Sequence, residues 1–262
     1  MRFGVITVLG LRVCVVLSAA PGAGALAIVC SDGGCGGAQA GFQATGSFTS
    51  VDTFDATSST PLLSAISGYG YVYAYTNSVP ANGSALGDLL KSYYDLGGKH
   101  LVVATYGFST PWAISGGIAT GNYAALTNVG TNGDVSGNLV AVVPADPIFA
   151  GVNLGSLVYF HNSNFAHPGV AMGATLLATD GAGVNMIARS ANGVVDVNLF
   201  AGNGQTNTTL FRLLANALGT SGGNIGVPTA PIPSTFLLLL IGMGCLVLYQ
   251  TRDRWMARIR VF

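Results

Sequence analysis

The sequence predicts an α/β domain, a mainly parallel sheet sandwiched between two layers of helices, on three observations. The first is a strand–helix–strand unit from Tyr69 to Phe108. Two apolar runs, Tyr69 to Tyr75 and His100 to Phe108, flank a segment in which Leu86, Leu89, Leu90, Tyr93 and Tyr94 recur at three- and four-residue spacing. The near-continuous Val, Leu, Ala and Tyr of those runs is the pattern of strands covered on both faces, and the crossover is long enough to join them in parallel. The second is the alternation of strand-like and helix-like segments upstream of this unit. The third is an amphipathic helix that closes the domain, Thr208 to Leu218, with Leu210, Leu213, Leu214, Ala217 and Leu218 on one face.

Taken in order, Leu26 to Cys30 reads as the first strand, broken by the Gly-rich Ser31 to Gly37 and followed by a weak helix from Ala38 to Gly46. Phe48 to Asp55 alternates as a second strand, and Thr60-Pro61 opens a short helix to Ile66, with Pro at its first position. Ser84 is placed to cap the central helix and Gly97 to end it in a left-handed turn. After Phe108 the pattern loosens into a Gly-rich stretch. Leu139 to Val143, Leu157 to Phe160, Ala174 to Ala178, Asn185 to Ala188 and Val194 to Leu199 follow as shorter strands, the last two joined by an Asn192-Gly193 hairpin turn. Gly219 is the expected stop of the closing helix.

The 262 residues carry no Glu and a formal net charge of zero, but the charges are unevenly spread. Between Leu26 and Pro231 nine Asp face Lys91, Lys99, Arg189 and Arg212, so the body carries −5 while the balancing arginines sit at the ends. Nucleic-acid binding needs clustered cations, and the body has none to offer. The two ends read as targeting segments. Met1 to Ala25 has Arg2 and Arg12, a short apolar middle and a small-residue exit, the pattern of an export signal cut after Ala25 or Ala27; a first strand beginning at Leu26 favours the earlier cut. At the other end Pro231-Ile-Pro-Ser-Thr235 leads into Phe236 to Tyr249 and then Arg252, Arg254, Arg258 and Arg260. Those fourteen residues are fewer than the ~20 of a usual membrane helix, but snorkelling arginines extend their reach. The arginines would stay cytoplasmic and leave the domain outside. The expected division is 1–25 signal, 26–219 α/β domain, 220–235 linker and sorting motif, 236–250 membrane helix and 251–262 basic tail.

The tail resembles the PEP-CTERM sorting signal of Gram-negative bacteria in Pro231, Pro233, Ser234 and Thr235, the hydrophobic run, and the arginines from Arg252 and Arg254, with Ile232 where that family has Glu. The resemblance implies an exosortase-type processing enzyme as partner, transient anchoring in the inner membrane, and release to the cell envelope or exterior. The body resembles the flavodoxin-like domains of the ThuA-like and class I glutamine amidotransferase-like superfamily. The residues that carry this are Ser50 to Asp55, Tyr73 to Asn77, Ala85 to Leu90 with Gly97-Gly98, Val102 to Thr105 and Pro147 to Val152. That implies a three-layer flavodoxin-like sandwich.

In an open α/β sheet ligands gather beyond the carboxyl ends of the strands, which puts Asp32, Asn77, Tyr106 and His161 on the expected ligand edge. Where the amidotransferases hold a Cys nucleophile on a strand-to-helix elbow, this chain reads Thr105-Tyr106-Gly107. A phenol of pKa ~10 is a poor nucleophile, and no Glu exists to complete a triad. No catalytic residue, metal site or cofactor is assigned. His161 and His167 fit no recognised ligand spacing. Cys30 and Cys35, five positions apart, are spaced for a local disulfide clip in an oxidising compartment and lack the C-x-x-C spacing of a redox or metal pair. The sequence thus leads to an exported surface or matrix protein with a non-catalytic scaffold or binding domain, exopolysaccharide being one candidate partner. The alternative is an extracellular carbohydrate-active hydrolase or isomerase of ThuA-like type.

Overall fold

The computed structural model of the chain describes residues 24–222. The expected signal, the sorting motif at Pro231, Pro233, Ser234 and Thr235, the hydrophobic run and the tail with Arg252 and Arg254 lie outside the described residues. Among the described residues no helix is long and apolar enough to cross a membrane.

Eight strands form the main sheet: β1 (Ala25–Ser31), β2 (Ser50–Asp55), β3 (Tyr71–Thr76), β4 (His100–Ala104), β5 (Leu139–Ala141), β6 (Thr175–Asp180), β7 (Asn185–Arg189) and β8 (Val195–Val197). Their order is β2-β1-β3-β4-β8-β7-β6-β5. The first five in that row are parallel; β7, β6 and β5 extend it antiparallel. The fold class is therefore mixed α/β with a large, mainly parallel sheet. The chain runs outward from β1 to β2 and then back across to β3, so its direction reverses between β1 and β3.

That reversal puts helices on opposite faces. α1 (Gly36–Thr45) and α4 (Thr208–Thr220) cover one face, where Phe42 and Phe211 pack on Leu26, Ile28, Tyr73 and Tyr75. α2 (Leu63–Ile66) and α3 (Gly83–Tyr94) cover the other, where Ile66, Leu86, Leu90 and Tyr93 pack on Ala27, Val29, Val72 and Ala74. Period-two alternation along β1 and β3 sends successive side chains to these two cores, which is why neither strand has a polar face.

Several boundaries differ from expectation for local reasons. Asn82, not Ser84, caps α3, its side chain accepting from Ala85 N–H at 2.9 Å. α2 starts two residues after Pro61, because Leu62 is still extended. α4 runs through Gly219 to Thr220, since Gly219 takes no left-handed turn and Ser221 N–H closes the last turn on Ala217. Leu157 to Phe160 forms no strand; Leu157 and Tyr159 are buried in the core, and Asn207 Nδ2 donates to the Val158 carbonyl at 2.9 Å.

Candidate functional site

β1 and β3 end side by side at the reversal, with Ser31 registered against Thr76. The next residue of each strand therefore emerges at the same place. Asp32 is 7% exposed and its carboxylate accepts from Tyr75 Oη at 2.8 Å, Asn77 Nδ2 at 2.7 Å and Asn203 N–H at 3.3 Å. Burial, with the Asp32 charge next in importance, pushes the Tyr75 phenol far above its ordinary range, so it remains a donor. Cys30 and Cys35 are joined by a disulfide that closes the Gly-rich turn presenting Asp32. Positive φ at Gly33, Gly34 and Cys35 lets the chain double back within that turn.

Past β4 the peptide between Thr105 and Tyr106 is cis, and Tyr106 N–H donates to the Thr76 carbonyl at 2.7 Å. Tyr106 is the hub of an aromatic cluster, with ring centroids 5.5 Å from Trp112, 5.2 Å from Phe165 and 5.5 Å from Phe200. The Phe160 ring lies tilted against Phe200 with centroids 5.6 Å apart and keeps 42% of its surface exposed, which makes it the open edge of the cluster. Burial raises the Tyr106 phenol above its usual value and a side-chain hydrogen bond from Asn162 partly offsets this.

These groups enclose a cavity of about 360 Å³. Its walls are aromatic, from Tyr106, Trp112, Phe160 and Phe200, and carboxamide, from Asn77, Asn162, Asn164, Asn203 and Gln205. Among the described residues no carboxylate, imidazole, thiol or cation lines it. The chemistry on offer is stacking against apolar ligand faces and uncharged hydrogen bonding; the one titratable wall group is the Tyr106 phenol.

Of the sequence-predicted edge, the structure brings Asp32, Asn77 and Tyr106 together and leaves His161 out. The His161 Nδ1 lies 2.8 Å from Asp134 Oδ1, which holds that carboxyl below its ordinary value, while its neighbours Phe160 and Asn162 take the cavity side. His167 Nε2 meets the Asp134 carbonyl at 3.0 Å. Asp180 is consumed by its own turn, accepting from Ser136, Ala182 and Val184 N–H groups. Among the described residues no three His, Cys, Asp or Glu side chains cluster as metal ligands do. The sequence reading missed Trp112, Phe160, Asn162, Asn164, Phe200, Asn203 and Gln205. Phe200 to Gln205 had a usable signal: it is the Gly-containing segment directly after the Val194 to Leu199 run, and so belongs to the same strand-end edge as Asp32.

A parallel core with strand order 2-1-3-4 and a fifth parallel strand, its cavity at the β1/β3 reversal, defines a flavodoxin-like α/β domain. The chain is similar in fold to a cytoplasmic protein from Salmonella typhimurium, with TM-score 0.53 and 11% identity over 76% of this chain and 99% of that one. A protein described as ThuA-like from Bacteroides uniformis matches with TM-score 0.47 and 13% identity over 73% of this chain and 89% of that one. No family model and no curated protein sequence matches the chain.

Proposed function

We propose that the chain is an exported bacterial cell-surface or matrix protein whose flavodoxin-like domain binds a neutral saccharide, such as a segment of exopolysaccharide, without acting on it. One observation carries the binding half of this reading: the cavity at the strand ends is walled by four aromatic rings and five carboxamides, with no charged group among them. A sugar ring has an apolar face for the rings and hydroxyls that both donate and accept for the amides. A charged ligand would enter without a partner and lose its hydration, and a nucleotide phosphate would meet no cation. The export half rests on the two ends of the sequence. The tail resembles a PEP-CTERM signal, and an exosortase-type enzyme would cut near Pro231 to Ser234 after transient anchoring in the inner membrane. Burial of Leu26 and Ala27 inside β1 supports a signal cut before Leu26, because a cut after Ala27 would remove core residues.

A ThuA-like hydrolase or isomerase is the second reading, and Asp32 favours it as a carboxylate directly behind two lining amides. Both Asp32 oxygens are already engaged and burial raises the Tyr106 phenol so that it keeps its proton, which leaves no free base at the cavity and supports binding over turnover. Intact-mass measurement of the protein recovered from envelope, medium and cytosol tests export and sorting. The expected species begins near residue 26 and ends near 231–234. A chain retaining Arg252 and Arg254, or residence in the cytosol, would contradict the reading.

A further inference from the structure

The hydrogen bonds behind the cavity decide which carboxamide atoms a ligand meets. An ionised carboxylate only accepts, so the Asn77 atom facing Asp32 Oδ1 at 2.7 Å is the amide nitrogen, and Asn77 turns its oxygen to the cavity. At Asn203 the order is reversed. Its backbone N–H is held by Asp32 and its Oδ1 accepts from Gly37 N–H at 3.1 Å, which leaves the Nδ2 donor for the cavity. Gly37 makes this approach possible: a Cβ there would stand 2.6 Å from the Gly202 carbonyl oxygen.

We infer that Asp32 is a positioning and specificity-determining residue of this cavity. By holding Asn77 and the Asn203 backbone, beside the Gly37 N–H that engages Asn203 Oδ1, it sets one acceptor, Asn77 Oδ1, against one donor, Asn203 Nδ2, an order that fits the hydroxyls of a neutral sugar. The class of ligand rests on the saccharide reading above; the order of the amide atoms does not. Replacing Asp32 with Asn removes the acceptor-only group. Asn77 is then able to reverse, presenting nitrogen to the cavity, so the ligand hydroxyl it served must accept instead of donate and its hydrogen loses the Asn77 acceptor. Placing the carboxylate at position 77 instead restores an acceptor there.

The test uses the full chain with Trp255→Phe, so that Trp112 fluorescence reports the cavity alone. It is titrated with glucose, N-acetylglucosamine and maltose, with glucuronate as the charged counterpart. The expected result is binding of at least one neutral sugar, weakened about tenfold or more by D32N through the mispaired hydrogen bond. The swap D32N/N77D should recover affinity to within about threefold, which a merely structural Asp32 would not produce. Unchanged affinity in D32N, or a swap that folds with an unaltered melting point yet recovers nothing, overturns the inference. Should D32N not fold, side-chain amide exchange in the unaltered chain decides: Asn77 hydrogens should exchange about tenfold or more slowly than those of Asn164, and equal rates overturn it. If no neutral sugar binds the unaltered chain, the saccharide reading fails, and slow Asn77 exchange still supports the amide order.

Discussion

Asp196 offers the sharpest perturbation of the fold, because it is a carboxyl in the middle of an apolar layer. It sits in β8 between Val103 of β4 and Ala188 of β7, is 3% exposed, and meets only the backbone N–H groups of Ala125 and Leu126, at 2.8 and 2.7 Å. Burial pushes it from the ordinary carboxylate value of 3.8 up to about 7, the two N–H groups recovering only part of the loss. The folded chain therefore holds this proton more tightly than the unfolded chain does. Its contribution to stability is fully present below about pH 4 and is lost as pH rises through about 7. A gap of about three pH units at ~1.4 kcal/mol each bounds the effect near 4 kcal/mol, and relaxation of the surroundings brings the expectation to about 2–4 kcal/mol. Asp196→Asn keeps an oxygen for both N–H groups and removes the charge. Urea unfolding of both proteins at pH 4.5, 6 and 7.5 should show the smallest difference at the lowest pH, about 1 kcal/mol or less, and the variant ahead by about 2–4 kcal/mol at the highest. A difference that does not change with pH, or an unaltered chain that gains on the variant as pH rises, would show that Asp196 is not held protonated by burial.

A Cβ at Gly87 would stand 1.5 Å from the Ser115 carbonyl oxygen, so Gly87→Ala must push α3 off the loop it packs on; we expect a loss of about 3 kcal/mol and a melting point lower by roughly 6–12 °C in calorimetry. Phe42 meets Phe48, Tyr73 and Phe211 edge-on with centroids 5.8, 4.9 and 5.4 Å away, and Phe42→Ala should cost about 3–5 kcal/mol in denaturant unfolding. Replacing Cys30 and Cys35 together by Ala opens a loop of only five positions' separation, and the chain-entropy argument limits the loss to about 2 kcal/mol by the same assay. Trp112→Ala should abolish detectable neutral-sugar binding in calorimetric titration while moving the melting point by less than about 4 °C, since the ring is half-buried at the cavity wall.

The parallel core was legible because its signals are local. Leu86, Leu89, Leu90 and Tyr93 announce the buried face of α3 by spacing alone, and the runs flanking it announce strands covered on both sides. The strand-end rule likewise led to Asp32, Asn77 and Tyr106, because those positions follow strands whose direction is set by the crossovers. Partnership across the sheet was not legible. Nothing in the three residues of β8 says that they return parallel beside β4 after three antiparallel strands; Val195 and Val197 join a core shared with Leu210 and Leu214 of α4, a long-range partnership with no local pattern. Side-chain direction in irregular loops was equally hidden. Phe160, His161 and Asn162 are consecutive, yet the middle one turns to Asp134 and its neighbours to the cavity. A segment without a period offers no rule for which way each residue points.

If the strand-end cavity holds a neutral saccharide and leaves it unchanged, the full chain incubated with neutral polysaccharide isolated from the matrix of the cells that make it should bind saturably, with free neutral sugar displacing it. New reducing ends counted in the same samples should stay constant over time. Absence of binding, or a steady rise in reducing ends, would contradict this role.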